Sequence, residues 1–65
     1  MADWTIEEVL RRALTIEAEN YGEYTREAEK ATVPAVKAMF TFLAKEEEAH
    51  IKLIKDKMAQ FGVKE

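Results

Sequence analysis

Residues 28–36 read Ala28-Glu29-Lys30-Ala31-Thr32-Val33-Pro34-Ala35-Val36 and contain the chain's single proline. Ala31-Thr32-Val33-Pro34 is the only break in a sequence otherwise rich in helix formers. Thr32 can cap a helix. Pro34, which has no N–H to leave unpaired, fits the first turn of a new one. A connection of about three residues folds two helices back on each other as an antiparallel hairpin. The expected fold class is therefore all-α.

Upstream of the break, Thr5 is a candidate N-cap with Glu8 as its capping-box partner. Trp4, just before it, is placed to staple onto Val9. Ile6, Leu10, Ala13, Leu14, Tyr21, Tyr24, Ala28 and Ala31 then recur at helical spacing along one face. Glu7–Arg11 and Glu8–Arg12 are i,i+4 pairs in the favourable order on the solvent side. Downstream, Val36, Phe40, Leu43, Ala44, Ile51, Ile54, Met58 and Phe61 form a second apolar stripe, and Gly62 is a natural stop. The spacing predicts one unit over residues 1–65, with helices at about 5–31 and 34–61 and a turn at 32–33. Gly22 falls inside the first helix, where it costs about 1 kcal/mol relative to Ala.

Size and composition narrow the function classes. The chain has 65 residues, a net charge of −3 and no cysteine. One domain is the limit at this length. An acidic balance argues against binding nucleic acid or a membrane surface, which calls for a basic face. Without cysteine there is no disulfide framework, zinc knuckle, iron–sulfur cluster or thiol nucleophile. The longest apolar run, Ala38–Ala44 broken only by Thr41, is too short to span a bilayer, and no charged-then-apolar leader opens the chain. A soluble, cytoplasmic protein is expected.

Three polar residues occupy positions that belong to the core. Glu17 lies in the middle of the first stripe, one turn from Ala13 and from Tyr21. Glu47 lies in the middle of the second, one turn from Leu43 and from Ile51. His50 follows Glu47 by three residues at the stripe's edge. The remaining helical glutamates, among them Glu19, Glu23, Glu27, Glu46 and Glu48, read as solvated faces. Glu17 precedes Thr32 by as many residues as Glu47 follows it, so both carboxylates stand roughly 22 Å from the turn, side by side. An unpaired buried carboxylate costs several kcal/mol, a large share of a small domain's stability. Two carboxylates and an imidazole at one level suit iron or manganese, and also zinc. The bland alternative is a polar core layer in which Glu17 bonds Tyr21 or Tyr24 and His50 sits at the rim.

A lone hairpin leaves both stripes open on one side. Two copies related by a two-fold axis close a four-helix bundle. The homodimer then offers two lone glutamates and two Glu-x-x-His motifs, the donor set of ferritin-like di-iron and di-manganese proteins. Four carboxylates balance two divalent ions, so metal binding and stability should be coupled.

From Ala13 to Leu53 the sequence resembles one half of a rubrerythrin-type, ferritin-like di-iron domain. The resemblance rests on Glu17 followed by Tyr24, on Val33-Pro34-Ala35-Val36-Lys37 opening the second helix, and on Phe40, Leu43-Ala44 and Glu47-x-x-His50. It implies that Glu17 is a terminal carboxylate ligand, Glu47 a bridging carboxylate and His50 the nitrogen ligand. Tyr24 would orient a carboxylate, with Tyr21 and Asn20 also beside the ligands. No catalytic residue distinct from the ligands is implied. Two irons per dimer are the implied cofactor. Full-length rubrerythrins carry a cysteine-ligated electron-feeding domain; here the electron donor must be external. The family's second half can carry an extra Glu where this chain has Asn20, a departure that weakens the expectation of the iron movement and efficient peroxide reduction associated with that ligand.

The leading expectation is an oxidoreductase that reduces peroxide or O₂, or oxidises Fe(II), at a site shared by two protomers. Iron storage or sequestration, including cargo of a larger shell, is a second reading. Met39, Phe42 and Leu53, off the main stripe, offer a further interface for a higher oligomer. A metal-free helical interaction module is the third.

Overall fold

The computed structural model describes residues 3–65. It consists of two helices, α1 (Ile6–Lys30) and α2 (Pro34–Gln60), joined by residues 31–33 and packed antiparallel along their lengths.

Local chemistry sets each helix end. Thr5 is the N-cap of α1. Its hydroxyl accepts from the Glu8 N–H at 3.1 Å, and the Glu8 carboxylate accepts from the Thr5 N–H at 2.8 Å, completing the capping box. That engagement holds the Glu8 carboxyl below its ordinary pKa, chiefly through the Thr5 backbone N–H and secondarily through the Thr5 side chain. It also removes Glu8 from the pair expected with Arg12. Of the two expected pairs only Glu7–Arg11 forms, at 2.9 Å. At the other end of α1, Lys37 Nζ donates to the Ala28 carbonyl at 2.7 Å, placing a cation at the negative pole of the helix.

α2 begins differently from the sequence expectation. Its N-cap is Val33, not Thr32, and no side chain caps it. The reason is Pro34. Proline takes the first helical position, and the residue before it is pushed to extended backbone, so Val33 is the cap whatever its side chain. At the C-terminus Gly62 adopts φ +71°. The N–H of Gly62 donates to the Ala59 carbonyl and that of Val63 to the Met58 carbonyl, the two bonds of a Schellman motif. Arg11 then holds the tail against α1 by donating to the Lys64 carbonyl at 2.6 Å.

The core is thin. Among the described residues only Leu10, Ala44 and Met58 are buried, Met58 at 1 % exposure. The rest of both stripes is half-buried or exposed, and Ile6, Tyr21, Val36 and Phe61 lie open to solvent. The molecule measures 45 × 26 × 14 Å, one helix thick in its shortest dimension. Its radius of gyration is 14.6 Å, against about 11 Å for a compact domain of this length. Its accessible surface is 5174 Å², against about 4,200 Å² for a compact monomer of this mass. The excess lies in two apolar helix faces that the hairpin cannot cover.

Candidate metal centre

Glu17 on α1 and Glu47 on α2 meet at mid-hairpin, as the equal spacing from the turn requires. His50, one turn along α2, brings its imidazole to the same level. His50 Nδ1 lies 3.4 Å from Glu17 Oε2 and 3.9 Å from Glu47 Oε1. One ligand atom from each residue lies within 4.8 Å of the others. The side chains grade from inside to outside: Glu47 is 13 % exposed, Glu17 24 % and His50 48 %. The cluster therefore opens toward one face of the hairpin.

Apolar layers bracket this polar level. Toward the turn, Tyr24 and Phe40 stack with ring centroids 6.2 Å apart. Toward the free ends lie Leu10, Met58 and the half-buried Leu14, Ile51 and Ile54. A carboxylate held between such layers is poorly hydrated, and one atom shows it. Glu47 Oε2 is buried without any hydrogen-bond partner. Leaving a buried acceptor unsatisfied costs about 1–3 kcal/mol, more when it is charged. The polar-layer alternative holds in one half only: His50 does sit at the rim, but among the described residues neither Tyr21 nor Tyr24 donates to Glu17, and nothing donates to Glu47 Oε2. Tyr21 is exposed, Tyr24 packs on Phe40, and Asn20 is half-buried beside the cluster on α1.

The donor set fits a divalent cation. Two ligand atoms at about 2.1 Å from a shared ion stand at most about 4.2 Å apart. The two His50 contacts lie within that limit, and the three ligand atoms together lie within 4.8 Å of one another. Two carboxylate oxygens and one imidazole nitrogen are the ligand types that suit iron, manganese and zinc. Among the described residues a single chain brings these three together and leaves one side open.

The signal for all three residues was in the sequence, as polar residues on an apolar stripe at matched distance from the turn. Sequence reasoning missed Arg12. It lines an open apolar concavity of about 460 Å³ with Trp4, Val9, Ala13 and Ile16. The misleading signal was the i,i+4 spacing to Glu8, whose carboxylate is committed to the cap. Glu27, read as solvated, is half-buried.

The fold and site together define a helical hairpin that carries a Glu, Glu, His carboxylate–imidazole centre. The rubrerythrin family profile matches residues 8–65, nearly the whole chain, and the chain belongs to the rubrerythrin family. No curated protein and no solved structure matches the chain significantly. Family membership and the donor group agree with a ferritin-like, iron-related protein. Among the described residues no helix is long and apolar enough to cross a membrane.

Proposed function

We propose that this protein is a homodimeric, non-haem di-iron oxidoreductase whose centre is shared by two protomers. Each copy supplies Glu17, Glu47 and His50. The observation that carries this reading is the buried, unpartnered Glu47 Oε2 within a three-residue donor cluster. A fold this small does not retain a bare interior carboxylate without something positive to meet it.

When bound, a pair of irons supplies electron exchange with peroxide or O₂; Fe(II) itself is the substrate if the reaction is iron oxidation. The chain's own residues hold and shield the centre. Glu17 and Glu47 contribute anionic oxygen donors, and His50 contributes a nitrogen donor at the rim. Across two copies four carboxylates offset two divalent ions. Tyr24, Tyr21 and Asn20 are the neighbouring polar residues available to orient the carboxylates. The Tyr24–Phe40 layer keeps water away on the turn side. These 65 residues contain no cysteine to relay electrons, and on this reading a separate reductant supplies them. An acidic chain without cysteine is placed in the cytoplasm on this reading.

Anaerobic Fe(II) loading followed by peroxide or O₂, with an external reductant present, tests the proposal. It requires metal uptake and repeated consumption of oxidant per site. Uptake with a single stoichiometric oxidation points instead to iron storage. No uptake leaves a metal-free helical interaction module and overturns the reading.

A further inference from the structure

The outer edge of α2 carries an apolar patch that the hairpin leaves uncovered. Phe42 is 54 % exposed and Leu53 63 %. They share one helix face about 16 Å long, with the exposed Ala49 between them. That face is turned about 120–140° from Glu47, away from the core. It is also roughly 60–80° round α2 from His50, outside the side that sharing the centre would cover. Yet the patch stands at the height of the donor cluster. The midpoint of Phe42 and Leu53 falls between Glu47 and Glu48, and Ala49 is bonded directly to His50. Lys45 and Lys52 line one flank, both exposed and, among the described residues, without an ion-pair partner. Glu46 borders the other flank and Asp56 the far end.

These charges oppose a second copy on this face. With two α2 helices antiparallel and Phe42 of each over Leu53 of the other, Lys45 stands within about 3 Å in height of the other copy's Lys52. Glu46 stands within about 4.5 Å in height of its own counterpart. With the helices parallel, Glu46 meets Glu46 and Asp56 meets Asp56 in the middle of the contact. An antiparallel register centred on Leu53 does bring Glu46 to Lys57 and Lys52 to Asp56, but it leaves Phe42 beyond the end of the facing helix. An apolar centre flanked by two free lysines suits a different protein, one with acidic groups round an apolar spot.

We propose that the Phe42–Ala49–Leu53 face of α2, with Lys45 and Lys52, docks an acidic one-electron carrier protein that reduces the centre. The inference rests on the oxidoreductase reading and names the kind of reductant that reading needs. A carrier seated there is separated from the donor cluster by the thickness of α2, about 10 Å. The small Ala49 side chain lets it approach the backbone, and the Ala49–His50 peptide gives a covalent path to the nitrogen donor. Each encounter passes one electron, the carrier being oxidised by one. Two encounters with two protons supply what one H₂O₂ needs to become two waters. A small contact of this kind is enough, since redox encounters are brief and bury little area.

Reduced plant-type [2Fe–2S] ferredoxin, an acidic one-electron carrier, is the probe, used on the iron-loaded protein under anaerobic conditions. Titration calorimetry at low salt should show binding that weakens as salt rises. Lys45→Glu with Lys52→Glu, and separately Leu53→Ser, should each weaken it about tenfold or more. Stopped-flow reduction of the oxidised centre by ferredoxin should slow to match, while reduction by dithionite, which needs no docking face, should keep its wild-type rate. Absence of ferredoxin binding, binding that ignores these substitutions, or equal slowing with dithionite overturns the docking face and leaves the centre standing. Association of dimers with one another that Leu53→Ser abolishes assigns the face to a second copy and overturns it too. A centre that neither ferredoxin nor dithionite reduces overturns the oxidoreductase reading itself, even where ferredoxin binds.

Discussion

His50 Nδ1 on α2 lies 3.4 Å from Glu17 Oε2 on α1, joining residues 33 apart in the chain across the hairpin. With Glu47 Oε1 3.9 Å from the same nitrogen, this contact converts two unrelated helix positions into one donor cluster. Mutual attraction does not account for it, since Glu47 Oε2 gains no partner at all. That bare acceptor within a three-residue donor group is the feature on which the proposed cation site rests.

Glu47→Gln separates those two roles. The substitution keeps the side chain's shape and removes its charge. Iron loading should fall to background, while the metal-free protein should gain about 1–3 kcal/mol because a buried charge is gone. Metal analysis and thermal unfolding of the apo protein measure the two effects. His50→Ala should lose iron with little change in helical content by circular dichroism, since His50 is exposed.

Leu43→Asp probes the open face. Leu43 is half-buried one turn before Glu47. In an isolated hairpin an aspartate there can stay hydrated at small cost. In a dimer it is buried against the second copy without a partner. Sedimentation should show a monomer that has lost iron, with both helices retained.

Acid should loosen the start of α1 before the rest. The Glu8 carboxyl is lower in pKa in the folded chain than in the unfolded one, so its contribution is complete above the ordinary carboxylate range. It is lost as the pH falls through the folded value. Thr5→Ala removes the hydroxyl's bond to the Glu8 N–H and should cost about 1 kcal/mol at neutral pH, but leaves the bond from the residue-5 backbone N–H to the Glu8 carboxylate. Glu8→Ala removes that carboxylate, and this variant should lose less stability than wild type between about pH 5 and 3. Chemical denaturation at each pH gives the comparison.

Met58→Ala should be the most damaging single truncation, because Met58 is the most completely buried side chain described. A loss of about 2–5 kcal/mol is a large part of what so thin a core supplies. Iron loading should recover part of it, since the ion binds only the folded form.

Much of this was legible in the sequence because it depends on local chemistry. The proline marked the turn, Thr5 with Glu8 marked the start of α1, and Gly62 marked the end of α2. The level of Glu17 and Glu47 followed from helix rise and equal spacing from the turn. Competition between local signals was not legible. Glu8 fits both a cap and a pair with Arg12, and one carboxylate satisfies the otherwise orphaned Thr5 N–H first. Thr32 has the better capping side chain, yet Pro34 assigns the position to Val33. The openness of the stripes, by contrast, was legible from the element count, since two helices cannot cover both faces, and Ile6, Tyr21, Val36 and Phe61 do lie open.

The central claim is that two copies of this chain enclose divalent iron between their carboxylates. Native mass spectrometry after anaerobic Fe(II) loading measures assembly and metal content on the same particle. The account predicts a dimer carrying two irons, with the metal-free chain forming that dimer more weakly. A monomer that holds iron tightly, or a stable dimer that takes up none, would contradict it.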